Sequence, residues 1–105
     1  MHKLNAQEHA AALRALPQWR HDAVRDAIRR RFEFADFAQA FAFMTAVAQA
    51  AETHNHHPEW SNVYHWVDVT WTTHDVDGLS DLDLLMAQVC ERAAADVAAP
   101  MGAKA

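Results

Sequence analysis

The chain has 105 residues, 51% of them hydrophobic and 22% charged, enough for one hydrophobic core and too few for two, so a single domain over residues 1–105 is expected. With 9 Lys and Arg against 14 Asp and Glu, its formal charge of −5 has the wrong sign for a protein whose main partner is a phosphate backbone, which argues against nucleic acid. Only 2 glycines and 3 prolines leave no room for a Gly-rich phosphate loop or a low-complexity linker.

No run approaches the roughly 18 apolar residues of a membrane span, and the first residues, MHKLNAQEH, carry no apolar leader segment. A soluble, cytoplasmic protein without membrane contact is therefore expected. The lone Cys90 cannot build a disulfide framework, and its alanine-rich surroundings mark it as a small buried hydrophobe. What stands out is 8 histidines in so short a chain.

In chain order, Asn5 and Glu8 have the form of a capping box that opens a short amphipathic helix with Ala12, Leu13 and Leu16 on one side and Pro17 as its stop. From Trp19 to Phe34 the helical stripe is missing. Ile28, Phe32 and Phe34 alternate with Arg29, Arg31 and Glu33, which predicts one or two strands and a turn near His21 to Val24; Arg30 interrupts the pattern. The run Arg29-Arg30-Arg31 reads as a solvated strand face.

Asp36 and Gln39 then cap a helix of some 18 residues, in which Phe37, Phe41, Met44, Ala48 and Ala51 form the stripe expected to be core. A second apolar row, Ala40, Phe43, Val47 and Ala50, broadens the arc enough to face a sheet and a second subunit at once. Pro58 requires the helix to end near His54 to His57.

The segment WSNVYHWVDVTWTTH predicts two strands, with Val67, Val69 and Trp71 alternating against Asp68, Thr70 and Thr72. After Gly78, Ser80 stands at a helix N-cap, Asp83 at the positive end of its dipole, and Leu79 opposite Leu84 as a hydrophobic staple. Leu82, Leu85, Met86, Val89 and Ala93 are the expected buried face of that last helix, which should fray before Pro100. The fold class is α+β, order α-β-β-α-β-β-α: a four-stranded antiparallel sheet with three helices packed on one face.

A two-residue turn at His65-Trp66 would pair Tyr64 with Val67, Trp60 with Trp71, Pro58 with Thr73 and His57 with His74. That register brings the histidines at the helix end to the histidine at the strand end. Histidine titrates near 6.5 in isolation, and neighbouring imidazoles discourage one another from charging, so one can be an acid while another is a base. The plainer alternative is an incidental surface cluster. A metal site built from these histidines is the other functional reading, weakened by the lack of HExxH, of a nearby cysteine and of a carboxylate at ligand spacing. Trp60 is equally suited to walling a flat heterocycle and to packing against Trp71.

The stretch Glu52-Thr-His-Asn-His-His-Pro-Glu-Trp60, continued by Asn62-Val-Tyr64, Thr72-Thr-His74, Gly78-Leu-Ser80 and Asp83, resembles the signature of the pterin-4a-carbinolamine dehydratases. The likeness extends upstream through Trp19, Arg25-Asp-Ala-Ile28, Phe32, Phe34 and Asp36-Phe37 to Phe41-x-Phe-Met44, covering about residues 13 to 97. It implies a hydro-lyase that dehydrates 4a-hydroxytetrahydropterin to quinonoid dihydropterin, recycling the pterin cofactor of aromatic amino-acid hydroxylases. Pterin is then the substrate, and neither a resident cofactor nor a catalytic metal is implied.

Carried onto this chain, the resemblance makes His56, His57 and His74 catalytic. It gives the pterin-contacting segments to Asn55, His56 and His57 and to Thr72, Thr73, His74 and Asp75, and pocket support to Glu52, Trp19, Trp60 and Asp83. His54 is outside the set. Asn55 stands where many relatives have Asp, and His65-Trp66 replaces a more polar turn. Members of the family assemble as dimers or tetramers, and some also act as dimerisation partners of a transcription factor, so an interaction module is the alternative function.

Overall fold

The computed structural model describes residues 1–98. Its elements are α1 (Ala6–Ala15), β1 (Arg20–Asp22), β2 (Ala27–Glu33), α2 (Phe37–His54), β3 (Glu59–Val63), β4 (Trp66–Trp71), a 3-10 turn (His74–Val76) and α3 (Asp81–Ala98). The strands form one antiparallel sheet in the order β1-β2-β4-β3. The expected α+β order therefore stands, with strands β1 and β2 joined by a turn that ends at Asp26 in the left-handed region, φ 50°.

Local chemistry sets the helix boundaries. Asn5 Oδ1 accepts from the Glu8 amide and Glu8 Oε1 accepts from the Asn5 amide, both at 2.9 Å, so the capping box forms at α1. Asp36 caps α2 by accepting from the Gln39 amide, and Asn55 ends it in the left-handed conformation at φ 50°. Pro100, where α3 was expected to fray, lies outside the described residues.

Alternation in β4 is as expected: Val67, Val69 and Trp71 are fully buried. With Ile28 and Phe32 of β2 they form the covered face of the sheet, against which α2 contributes Ala40, Phe43, Val47 and Ala51, and α3 contributes Met86, Ala87, Cys90 and Ala93. Arg30 points to this same face, where its guanidinium lies 4.1 Å from the Phe32 ring centroid and is paired with Glu91 of α3. Arg29 and Arg31 face solvent, and Arg31 holds Asp68 across the strands, so the arginine run divides between two faces. No helix among the described residues is long and apolar enough to cross a membrane.

Three further expectations need correction. In α2 the row Ala40, Phe43, Val47 and Ala51 meets the core, while Phe37 and Phe41 are 47% and 57% exposed; both rows are apolar at helical spacing, so periodicity alone cannot choose between them. In α3 the buried face is rotated to Asp83, Met86, Ala87, Cys90 and Ala93, leaving Leu85 exposed and Leu82 and Val89 half-buried, because a fully hydrogen-bonded Asp83 occupies a core position.

The third concerns the hairpin. Its turn is Tyr64-His65, so Val63 pairs with Trp66, Trp60 faces Val69 and Trp71 pairs with Ile28 of β2. Tyr64 takes φ 48°, and the Asn62 side-chain amide donates to the carbonyls of Tyr64 and Trp66. Trp66 thereby joins the strand and receives the Arg31 guanidinium at 4.2 Å. The two-residue displacement preserves the face of every side chain but removes both the Trp60–Trp71 pair and the ladder position of His57 opposite His74.

Candidate active site

The left-handed Asn55 turns the chain inward immediately after α2, and the His56 amide closes the helix end on the Ala51 carbonyl at 3.0 Å. The His56 ring is carried beneath the sheet end. Its side chain is 10% exposed and stacks on Trp71 with centroids 5.5 Å apart and planes 20° apart. His56 Nε2 lies 2.6 Å from Oδ1 of the fully buried Asp83.

Asp83 Oδ2 accepts from the Thr73 hydroxyl at 2.7 Å and from the Ser80 amide at 2.9 Å. The Ser80 hydroxyl lies 2.7 Å from that of Thr73 and accepts from the Leu82 amide at 3.2 Å. A buried carboxylate is tolerable only when paired and fully hydrogen-bonded, and these donors supply that. Because an ionised carboxylate only accepts, Nε2 of His56 is the donor in this contact, which orients the ring.

The other two predicted histidines are open to solvent. His57 is 54% exposed, its Nε2 2.5 Å from Oε2 of Glu52. His74 is 81% exposed, its Nε2 3.6 Å from Oε2 of Glu59, two residues beyond His57. Glu59 is gripped by both terminal nitrogens of Arg25 at 2.8 and 2.7 Å. That hydrogen-bonded ion pair holds the Glu59 carboxyl below its ordinary range against the opposing effect of burial, and leaves a fixed negative charge facing His74.

His74 is presented by a tight loop. Thr73 and Gly78 bridge antiparallel, and Asp77 closes the 3-10 turn at φ 56°. A side chain at position 78 would place its Cβ 2.2 Å from Asp26 Oδ2, so this approach requires glycine. The Thr72 hydroxyl donates to the Asp26 carbonyl at 3.1 Å, and Asp26 Oδ2 accepts from the Leu79 amide at 3.1 Å. The loop is thus tied at both ends to the β1–β2 turn.

Hydrogen bonding therefore joins His56, Thr73 and Asp83 directly, while His57 and His74 are held by separate glutamates. Asn55 is exposed at the helix end, Asp75 is exposed in the loop, and Trp60 is half-buried on β3. Trp19 is buried edge-on against Phe32 and donates its indole N–H to Glu91 at 3.0 Å, which makes it part of the packing between sheet and α3. His54 is the exposed last residue of α2.

Sequence reasoning overlooked Glu59, Arg25 and the full part played by Ser80. The text carried a faint signal for the first two, in the acid after Pro58 and the arginine of Arg25-Asp-Ala-Ile28, but 34 positions separate the pair. Cys90 is buried as expected, and burial pushes its thiol up to about 12, so it has no nucleophilic role at neutral pH.

Residues 2–93 match the family model described as pterin 4 alpha carbinolamine dehydratase. A Rhizorhabdus wittichii protein, provisionally named pterin-4-alpha-carbinolamine dehydratase, is 58% identical over 88 residues, covering 84% of this chain and 91% of its own. A Burkholderia orbicola protein of the same provisional name is 53% identical over 95 residues, 90% of this chain and 93% of its own. Among solved structures, the transcriptional coactivator/pterin dehydratase from Brucella melitensis superposes with TM-score 0.84 at 46% identity, covering 88% of this chain and 98% of that one. A pterin dehydratase-like protein described as a RuBisCO assembly factor of the alpha-carboxysome shares the fold, with TM-score 0.65 at 23% identity over 73% of this chain and 89% of that one. By its sequence and its fold, the chain belongs to the pterin-4-alpha-carbinolamine dehydratase family.

Proposed function

We propose that the protein is a 4a-hydroxytetrahydropterin dehydratase whose proton transfers are carried by histidine. In that reaction the C4a–O bond breaks as the departing hydroxyl takes a proton, and N5–H gives up its proton as the C4a=N5 bond forms. Water and quinonoid dihydropterin are the products. An imidazolium suits the first transfer and a neutral imidazole the second at neutral pH, without a metal.

The observation that carries this reading is the His56–Asp83 pair. A buried carboxylate at 2.6 Å orients an imidazole whose tautomer and plane are set before substrate arrives. His57 and His74, each beside a glutamate on the solvent side, supply the complementary exchange of protons with bound pterin and water. By the family resemblance Asn55, Thr72 and Asp75 would be further pterin contacts, with the buried Thr73 acting through Asp83 and with Glu52 and Trp60 as support. The enzyme would recycle the pterin cofactor of an aromatic amino-acid hydroxylase in the reducing cytoplasm.

A second reading, an interaction module, is favoured by the exposed Phe37 and Phe41 on α2, whose ring centroids are 5.7 Å apart, and by the double description of the Brucella melitensis relative. Those rings are best covered by another copy of this chain, so a homodimer or homotetramer is part of the proposal. The discriminating experiment follows conversion of 4a-hydroxytetrahydropterin by untagged protein, before and after exhaustive chelation. Turnover that survives chelation supports the histidine mechanism. Absent turnover in folded protein supports the interaction module, and turnover lost to chelation and restored by zinc supports a catalytic metal.

A further inference from the structure

Across the β1–β2 turn from the loop of residues 72–79 stands a second histidine cluster with no part in the proposed reaction. His9 comes from α1, His21 from β1 and Asp26 from the turn, and one ligand atom of each lies within 4.8 Å of the others. His21 Nε2 is 2.7 Å and His9 Nε2 3.5 Å from the same oxygen, Asp26 Oδ1, and the two imidazoles meet edge to face with centroids 4.9 Å apart. The geometry points to a binding site for a divalent transition metal of the zinc class, held by His9, His21 and Asp26.

Three features carry this beyond a simple hydrogen-bonded tie. A tie between Asp26 and the β1 strand needs one imidazole, yet two direct their Nε2 atoms at a single oxygen. Nitrogen and oxygen ligands at about 2.0–2.2 Å in a tetrahedron lie about 3.3 Å apart, and the 2.7 and 3.5 Å separations bracket that value, so small side-chain rotations admit the ion.

The carboxylate is also held from behind as metal-binding carboxylates are: Asp26 Oδ2 accepts from the Leu79 amide, and Asp26 itself is locked at φ 50°. The three side chains are 20%, 25% and 26% exposed, which leaves a path for the ion and room for a water as fourth ligand. The neighbouring cation, Arg25, is directed to Glu59 and does not compete for Asp26. An ion there would clamp α1 and β1 to the turn on which the loop of residues 72–79 is anchored.

The test is a zinc chloride titration of untagged protein by calorimetry, with cobalt(II) absorption as a coordination readout. One zinc per chain is expected, with affinity falling at least about 100-fold in His9→Gln and in His21→Gln, more than the 10–100-fold typical of outer-shell losses. His57→Gln should retain that site, and zinc should raise the melting temperature of the parent but of neither His9→Gln nor His21→Gln. In the parent protein, cobalt(II) should broaden the imidazole resonances of His9 and His21. No stoichiometric binding, binding unaffected by His9→Gln and His21→Gln, or broadening confined to His57 and His74 would each overturn the assignment.

Discussion

His56 and His74 occupy opposite conditions within one candidate site. The first is 10% exposed, stacked on Trp71 and fixed by a carboxylate that is itself held by Thr73 and Ser80. The second is 81% exposed on a loop, with only Glu59 at 3.6 Å to orient it. His56 is packed into the folding core, whereas His74 is presented to solvent by its loop. The difference separates groups set in advance of substrate from groups that substrate itself must arrange.

Removing the anchor of the buried half should have the largest effect. Asp83→Ala strands the His56 ring and the Thr73 and Ser80 donors, and should cost about 3–5 kcal/mol in denaturant unfolding. His56→Ala should lower turnover roughly 10²–10⁴-fold, and also destabilise the fold by about 1–3 kcal/mol because Asp83 loses a partner. Were His56→Ala as stable as the parent, the buried pair would be less integral to the core than this account holds.

On the exposed half, His54→Ala should leave both turnover and melting temperature close to the parent, since His54 projects from the helix end and belongs to neither set of contacts. A small effect, on stability, is expected at Glu59. Its carboxyl is depressed by Arg25, so it contributes stability above the unfolded value of about 4.3 that is lost as pH falls through the folded one. Glu59 is 45% exposed and screened by water, so Glu59→Gln should remove no more than about 1 kcal/mol at pH 7, and that deficit should shrink as pH falls below about 4.3 and vanish once pH is below the lowered folded value.

The parts of this molecule that chain text discloses are those governed by local chemistry. The Asn5–Glu8 box, the Asp36 cap and the Val67, Val69 and Trp71 alternation each depend on residues within a few positions, and each is realised. Choices between two apolar rows are made by the partner surface, which is why Phe43 rather than Phe41 is buried. The hairpin register turned on Tyr64 accepting a left-handed conformation with help from Asn62, a contest that a tyrosine does not advertise.

The candidate residues can be named from the chain, but their arrangement cannot. His56, His57, His74 and Asp83 were all named, yet the expectation that a strand register aligned His57 with His74 was mistaken, and the contacts instead run through Glu59 and Thr73. Asp83 was read as a helix-dipole residue, because nothing local reveals that a side chain 27 positions away will meet it. Glu59 and Arg25 escaped for the same reason.

The most direct test of the central claim is the rate of 4a-hydroxytetrahydropterin dehydration by His74→Ala, measured beside the parent and paired with thermal melts of both. The account predicts an unchanged melting temperature with turnover lowered roughly 10²–10⁴-fold. Near-parental turnover by folded His74→Ala would contradict it.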